Sequence, residues 1–381
     1  MKQSWEYCKL EDVVTKGSSN ISLNKIKNED GKYPVFAAQG FVQNVSFYHR
    51  EREYLAIIKD GAGIGRVSKH PAKSSVVATM QYLIPKKDFD IDFIKYFLGG
   101  IDFEKHRNGS TIPHIYFKDY KSERFPRLPL SEQRRIVSIL DECFSAIDKA
   151  KANAEQNLKN AKELFESYLQ GVFEKKVHGS KFETLDNLCE LIIDCEHKTA
   201  PTQETGYPSI RTPNVGKGEL LLEDVNRVSY ETYLKWTRRA IPQFGDLILA
   251  REAPAGNIAV IPEKLEVCLG QRTVLLRPKK DKFISKYLAF LILSKDVQEI
   301  LLSHSTGATV QHVNMKDIRA FKIYNLSDLA EQETIVHQLD ALRAETQKLE
   351  TIYQKKIANL EELKKSILQK AFAGELTEKT I

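Results

Sequence analysis

Long apolar runs are missing from this chain. The longest, "YLAFLIL" at Tyr287 to Leu293, is far short of the ~20 residues that a membrane-spanning helix needs. The opening "MKQSWEYCKLEDV" has no apolar core, so no secretory signal is expected. There are five cysteines and no Cys-x-x-Cys pair; Cys189 and Cys195 are the nearest two. Neither has the second pair that would complete a zinc site, so reduced thiols and a cytoplasmic protein are expected. The Gly-x-x-x-x-Gly-Lys-Ser/Thr phosphate loop is absent, and "NVGKGEL" at 214–220 offers only a Gly-Lys. In "DGAGIGRV" the spacing of Gly61, Gly63 and Gly65 is wrong for a nucleotide loop, and a hairpin turn between two strands is the better reading. No Gly-x-Ser-x-Gly elbow occurs. Nor does the Asn/Asp-Pro-Pro-Tyr/Phe stretch of amino-methyltransferases. "DCEHK" at 194–198 groups an acid, a thiol and an imidazole but lacks a second ligand pair, so it reads as a solvated turn. These absences leave no catalytic centre and no metal site. The expectation is a binding and assembly protein, not an enzyme.

What is present is ordinary globular sequence, 381 residues with 42% hydrophobic and 28% charged side chains. That is enough for two or three domains. The net charge of +6 is unevenly placed: residues 1–130 carry +6, 131–178 carry 0, 179–328 carry +1 and 329–381 carry −1. An excess confined to the first stretch is compatible with a polyanionic partner.

The chain repeats itself. "LSEQRRIVSILDECFSAIDKA" begins at Leu130, and "LAEQETIVHQLDALRAETQKL" begins 199 residues later at Leu329. Fifteen of the 44 positions from 130 to 173 are identical across that shift, without a gap. In the first copy, apolar or small residues fall at 136, 140, 143, 147, 150 and 154. That 4-3-4-3-4 spacing makes a coiled-coil seam. It resumes at 158, 161, 165, 168 and 172, with a step of four where three was due, which is a stutter. The second copy matches with Ile335, Leu339, Leu342, Leu349, Tyr353, Ile357, Leu360 and Ile367, and has the same extra step between 353 and 357. Ile136, Leu140, Ile147 and Leu158 from the first copy are expected to pair with Ile335, Leu339, Leu349, Ile357, Leu360 and Ile367 from the second. Each helix would span ~65 Å at about 1.5 Å per residue. A stripe that long needs a partner helix. Two partners are open: the other copy within the chain, or the same helix of a second chain.

The stretches between the helices also correspond. "YLAIIKDGAGIGRV" at 54–67 answers "DLILAREAPAGNIAV" at 246–260, and "YLIPKKD" at 82–88 answers "LLRPKKD" at 275–281. "GSTIPHIYFKD" at 109–119 answers "GATVQHVNMKD" at 307–317, with Gly, Thr, His, Lys and Asp in register. The predicted organisation is block one (1–129), helix (130–178), block two (179–328), then helix and tail (329–381). Each block mixes β-branched and aromatic runs, Gly/Pro turns and short helices. The fold class is α+β, with mostly antiparallel sheet in each block and a pseudo-two-fold internal repeat.

"NGSTIPHIYFKDYKSERFPRLPLSEQRRIVSILD" at 108–141 and "AEQETIVHQLDAL … LEELKKSILQKAFAGEL" at 330–376 resemble the two conserved helical regions of the type I restriction–modification specificity subunit, the HsdS family. The likeness covers the whole chain. One departure is "YNLSDLAEQ", which lacks the proline that precedes the first Glu-Gln. The resemblance implies two target-recognition domains separated by an intramolecular antiparallel coiled coil. It implies double-stranded DNA with a bipartite target as ligand. Two modification (methyltransferase) subunits and restriction (motor-nuclease) subunits are the implied partners. Adenosylmethionine, ATP and magnesium would belong to those partners, and this chain would bind none. The alternative is a non-catalytic coiled-coil scaffold or homodimeric assembly protein without sequence-specific DNA binding.

Reading bases in a major groove takes Arg or Lys for guanine and Asn or Gln for adenine. In block one the candidates are the glycine loop and its flank, Lys59, Arg66, Lys69 and Lys73, together with His106, Arg107, Ser110 and Thr111. In block two they are Arg211, Asn214, Arg251, Asn257, Gln271 and Arg272, with Thr309 and His312. His114 and His312 recur in register, for DNA contact or for a hydrogen bond between the domain and a helix. The Tyr and Phe side chains are expected in the core.

Overall fold

The structure, a computed structural model, describes residues 5–174, 181–252, 255–303, 312–324 and 327–376. The chain divides into two compact units, 1–155 with 354–381, and 156–353. Read along the sequence, the chain has four segments; by packing, it has two units, and each holds one block and half of each long helix. The boundaries fall one residue past Ala154 and at Tyr353, where the stutter sits in each copy.

Block one opens with β1 (Glu6–Lys9), the single turn α1 (Leu10–Val13) and β2 (Val14–Ser18). There follow α2 (Leu23–Ile26), β3 (Tyr33–Ala37), β4 (Gly40–Val45), β5 (Tyr54–Ile58) and β6 (Val67–His70). Then come β7 (Ser75–Val76), β8 (Met80–Pro85), α3 (Ile91–Gly99), α4 (Phe117–Tyr120) and β9 (Arg124–Arg127), before the long helix α5 (Leu130–Phe173). Four strands form one sheet in the order β2-β8-β5-β6, three form another as β4-β3-β7, and β1 pairs with β9.

The alternation of side chains along β5 explains the layering. Leu55 and Ile57 enter a core shared with α3 and the long helices, whereas Tyr54, Ala56 and Ile58 enter a core shared with β3 and β4. Both faces are covered, so every residue of β5 is buried. The helix-side core includes Phe93, Phe97, Phe125, Ile136, Leu140, Phe144, Ile147, Leu368 and Ala371.

Block two repeats this order. It has β10 (Phe182–Thr184), α6 (Leu185–Leu188), β11 (Cys189–Asp194), β12 (Tyr207–Ile210) and β13 (Arg227–Val228). Next are α7 (Tyr230–Trp236), β14 (Leu247–Ala250), β15 (Ile258–Val260), β16 (Cys268–Leu269) and β17 (Thr273–Pro278). It ends with α8 (Ser285–Leu293), α9 (Lys295–Ser303), α10 (Met315–Ala320), β18 (Lys322–Tyr324) and the long helix α11 (Leu329–Phe372). The sheets run β11-β17-β14-β15 and β13-β12-β16, with β10 on β18. The counterpart pairs β3–β7 and β12–β16 are both parallel. Two blocks of faint sequence similarity thus have one strand topology.

The long helices are 44 residues each, and their bounds are offset by the same 199 residues as the sequence repeat. In the first unit, the early part of α5 packs on the late part of α11: Ile136, Leu140 and Ile147 share a core with Leu360, Ile367 and Leu368. In the second unit, late α5 meets early α11, with Leu169 and Phe173 beside Ile335, Val336 and Leu339. The pairing in each unit is antiparallel and intramolecular.

Packing moves the seam at four places. Tyr168 is 40% exposed, and Leu169 and Phe173 are buried in place of 168 and 172. The reason is a second partner: Phe165 and Phe173 face Phe290 and Tyr287 of α8, with ring centroids 6.3 and 5.2 Å apart. The same one-residue turn occurs late in α11, where Leu368 and Ala371 are more buried than Ile367. Leu349 is 36% exposed, and Thr346 takes the inner position at 3%. The Thr346 hydroxyl donates to the Leu342 carbonyl at 3.0 Å, so its polar group is satisfied. Leu158 and Ile357 are half-buried.

Candidate nucleic-acid interface

In block one, the loop between β5 and β6 depends on glycine. Gly61, Gly63 and Gly65 have φ of +92°, +95° and +81°, a region that side-chain-bearing residues avoid. A Cβ on Gly65 would also lie 2.5 Å from Phe103. This loop is the expected hairpin turn. A second loop lies against it. Asn108 and His114 exchange backbone hydrogen bonds of 2.8 Å, the Gly61 N–H donates to the Pro113 carbonyl at 2.9 Å, and the Ile115 N–H donates to the Lys59 carbonyl at 2.9 Å. Between the bonds that close it, Gly109, Ser110, Thr111 and Ile112 stand exposed. The residues that close the loop are hydrogen-bonded, and the side chains at its tip face outward from the closure, exposed.

Around these loops the cations hold different positions. Arg66 is exposed and donates to the Ala38 carbonyl at 2.5 Å. Lys59 lies 3.1 Å from Asp60. Lys69 is held at the start of α3 by Asp92 at 2.9 Å, and that bond raises its pKa. Lys73 is exposed, with a long 3.9 Å approach to Glu51. His106 sits 3.0 Å from Glu123. Arg107 is exposed, with Glu104 at 3.2 Å. The structure brings the glycine loop and the 108–114 loop together; Lys69 and His106 are drawn into contacts within the protein.

In block two the described residues at the equivalent strand end have different chemistry. Arg251 and Asn214, expected at the surface, are 7% and 6% exposed. Arg251 extends from the end of β14 into the interior, where its Nη1 donates to both Asp194 oxygens at 2.8 Å. Its Nε donates to the Val313 carbonyl at 3.0 Å. A buried guanidinium needs such partners. Asn214 donates to the Leu221 carbonyl at 3.2 Å and accepts from the Arg211 N–H. Arg211 itself is half-buried. Asn257 donates to the Val215 carbonyl at 3.0 Å. Gln271 is half-buried and Arg272 exposed, at a turn where Arg272 has φ +66° and pairs with Glu252 at 2.8 Å. Thr309 lies outside the described residues.

The sequence reading missed several residues. Asp60 and Glu252 are the partners of His114 and His312, at 3.4 and 2.7 Å. Their register in the two loop copies was the available signal. The 229–246 segment, which includes α7, is longer than its counterpart 46–53. It exposes Tyr230, Leu234, Ile241 and Phe244, Phe244 by 68%, beside Lys235, Arg238 and Arg239. Tyr230 and Phe244 stand outside the core that Tyr233 and Trp236 of the same segment enter, and residue type alone carries no signal of that difference. In "DCEHK", only the His197 end is a solvated turn, with its side chain 72% exposed. Cys195 is buried, and its sulfur accepts the Arg272 N–H. Asp194, Cys195 and His197 are the one metal-compatible group among the described residues, and the Arg251 guanidinium already occupies both Asp194 oxygens. All five cysteines are free thiols. Burial pushes Cys189 up to about 12.

A duplicated α+β block carried on a duplicated long helix defines a modular architecture. The family model for the type I restriction modification DNA specificity domain matches residues 2–160 and 179–361, and the chain belongs to that family. Among curated relatives, the EcoBI specificity subunit of Escherichia coli is 24% identical over 296 residues, covering 70% of this chain and 61% of that protein. This chain therefore matches less than two thirds of the length of that relative. The MjaVIII specificity subunit of Methanocaldococcus jannaschii is 22% identical over 410 residues, covering 100% of this chain and 94% of that protein. A chain from a study of complex assembly and conformational transition of the type I R-M system has a TM-score of 0.73 at 18% identity, over 98% of both chains. The HsdS subunit from Thermoanaerobacter tengcongensis has a TM-score of 0.55 at 17% identity, over 98% of this chain and 97% of its own. These likenesses show the fold. Among the described residues, no helix is long and apolar enough to cross a membrane.

Proposed function

We propose that this chain is the DNA-specificity subunit of a type I restriction–modification enzyme, and that each block reads one half of a split, asymmetric target. One observation carries this reading: two blocks of the same strand topology and different surface chemistry sit on duplicated, antiparallel-paired helices. A duplicated scaffold supports two similar docking events, and the divergent loops support two different sequences. The helix pair acts as a spacer that sets the unread gap and recruits two modification subunits, and restriction subunits join that core. Chemistry belongs to the partners, which would hold adenosylmethionine, ATP and magnesium. The adenine to be methylated has to leave the stack, and the pocket that receives it lies on the modification subunit. The setting is cytoplasmic.

The test is co-expression with a cognate modification subunit, followed by genome-wide methylation mapping. The expected result is one bipartite motif with unlike halves and a constant gap. A palindromic or ungapped motif would overturn the reading. Binding of the assembled complex to duplex DNA should weaken steeply with salt, since phosphate contacts release counterions. A coiled-coil scaffold without DNA function would show no such slope.

A further inference from the structure

The two blocks have diverged at most positions of their paired loops, yet each keeps an acid–histidine pair at one topological point. Asp60 follows β5, and its Oδ1 lies 3.4 Å from His114 Nδ1. Glu252 follows the equivalent strand β14, and its Oε1 lies 2.7 Å from His312 Nδ1. The backbone registration around each pair is the same. The Ile115 N–H donates to the Lys59 carbonyl at 2.9 Å, and the Val313 N–H donates to the Arg251 carbonyl at 3.0 Å. Each pair also forms an antiparallel bridge outside the main sheets. The acid has changed length between copies and the imidazole has not. Both histidine side chains are about a third exposed, at 35% and 30%, where an ion pair contributes little to stability. Retention of the pair in both copies therefore points to geometry.

We infer that this pair positions the base-reading surface of each block: it ties the loop at the strand end to the chain at the histidine, and so sets which bases that block accepts. The inference rests on the reading of the blocks as DNA readers. The histidine is a positioning residue, one step removed from DNA. In block one, His114 is where the 108–114 loop closes on Asn108, so its ring anchors the exposed Ser110–Thr111 tip to Asp60. In block two the tie is more extensive. Arg251 Nη2 donates to His312 Nε2 at 2.9 Å, so His312 carries its proton on Nδ1, toward Glu252. Arg251 is in turn held by Asp194.

The experiment uses the full chain assembled with its modification subunits. Methylation rates are measured on duplexes in which single bases of one half-site or the other are replaced, for the wild type, His114→Ala, His114→Asn, His312→Ala and His312→Asn. An asparagine amide takes the place of Nδ1–H and keeps its donor. The expected result is that His114→Ala lowers discrimination on the order of tenfold in one half-site only, and His312→Ala in the other only. Asparagine should restore most of it. If a histidine variant fails to fold, Asp60→Ala and Glu252→Ala remove the same contact from the acid side. Equal loss across all sequences, or alanine and asparagine variants that behave alike, would overturn the inference. A wild-type complex without a bipartite motif would instead overturn the underlying reading.

Discussion

Gln133 and Gln332 occupy the same position in the two copies and are both fully buried. Gln133 accepts the Asp90 N–H at 2.8 Å and donates to the Asp88 and Leu128 carbonyls. Gln332 accepts the Ile284 N–H at 2.9 Å and donates to the Lys282 and Ser327 carbonyls. The Glu-Gln of the repeat is thus a staple that joins the start of each long helix to the segment before α3 or α8. Gln133→Ala or Gln332→Ala would leave three backbone groups without that partner, at a cost of about 3 kcal/mol. A clear drop in the urea midpoint is the expected readout. His70 is a second informative residue. It is 6% exposed, stacks on Tyr54 at 5.3 Å and lies 2.8 Å from the Ser68 hydroxyl. Burial lowers its pKa to about 4, so the unfolded chain binds the proton first. Stability should fall as pH drops from about 6.5 to 4, by roughly 3 kcal/mol for this group. Urea titrations at pH 7 and 4.5 test this, and in His70→Gln the slope over that window should flatten.

At the level of the helices, the two copies are complementary rather than identical. By the 199-residue offset, Phe144 corresponds to Arg343, and Phe165 to Lys364. The structure stacks Lys364 over Phe144 at 4.8 Å and Arg343 over Phe165 at 4.8 Å, so cation and ring exchange places between the copies. Lys151 pairs with Glu361 at 2.6 Å, and their counterparts Glu350 and Lys162 reverse both signs. Like-with-like pairing would bring Lys151 to Lys162 and Glu350 to Glu361, which is unfavourable in the way that e and g charges select coiled-coil partners. Lys151→Glu should lower the melting temperature, and adding Glu361→Lys should recover most of the loss. A double-mutant cycle without coupling would remove that pair from the account.

For the whole molecule, the spacer reading makes a geometric prediction. Both helices run unbroken through Ala154 and Tyr353. Inserting one heptad at each of these two points should lengthen the unread gap of the methylated motif and leave both halves unchanged. Methylome sequencing of that variant would reject the spacer role if the gap stayed the same.

The duplication, the two long helices and the alternation of block and helix along the chain were legible in the residue order, because a repeat with a shared stutter leaves a periodic signal that needs no coordinates; that each block packs on half of both helices was not. The starts of both helices, Leu130 and Leu329, follow from that signal. The depth of Arg251 and Asn214, the displacement of Tyr168 by Leu169, and the exposure of Phe244 were not legible. Residue type states what a side chain can bind, whereas depth depends on strands and helices distant in sequence. Arg251 is interior because Asp194, on the far side of the sheet order, meets it there. Leu169 is inner because α8 presses on the helix from a second side. Family and architecture are local and periodic properties, and the chain order carries them. The surface left over to read DNA is a remainder, known only once every internal partner has been assigned.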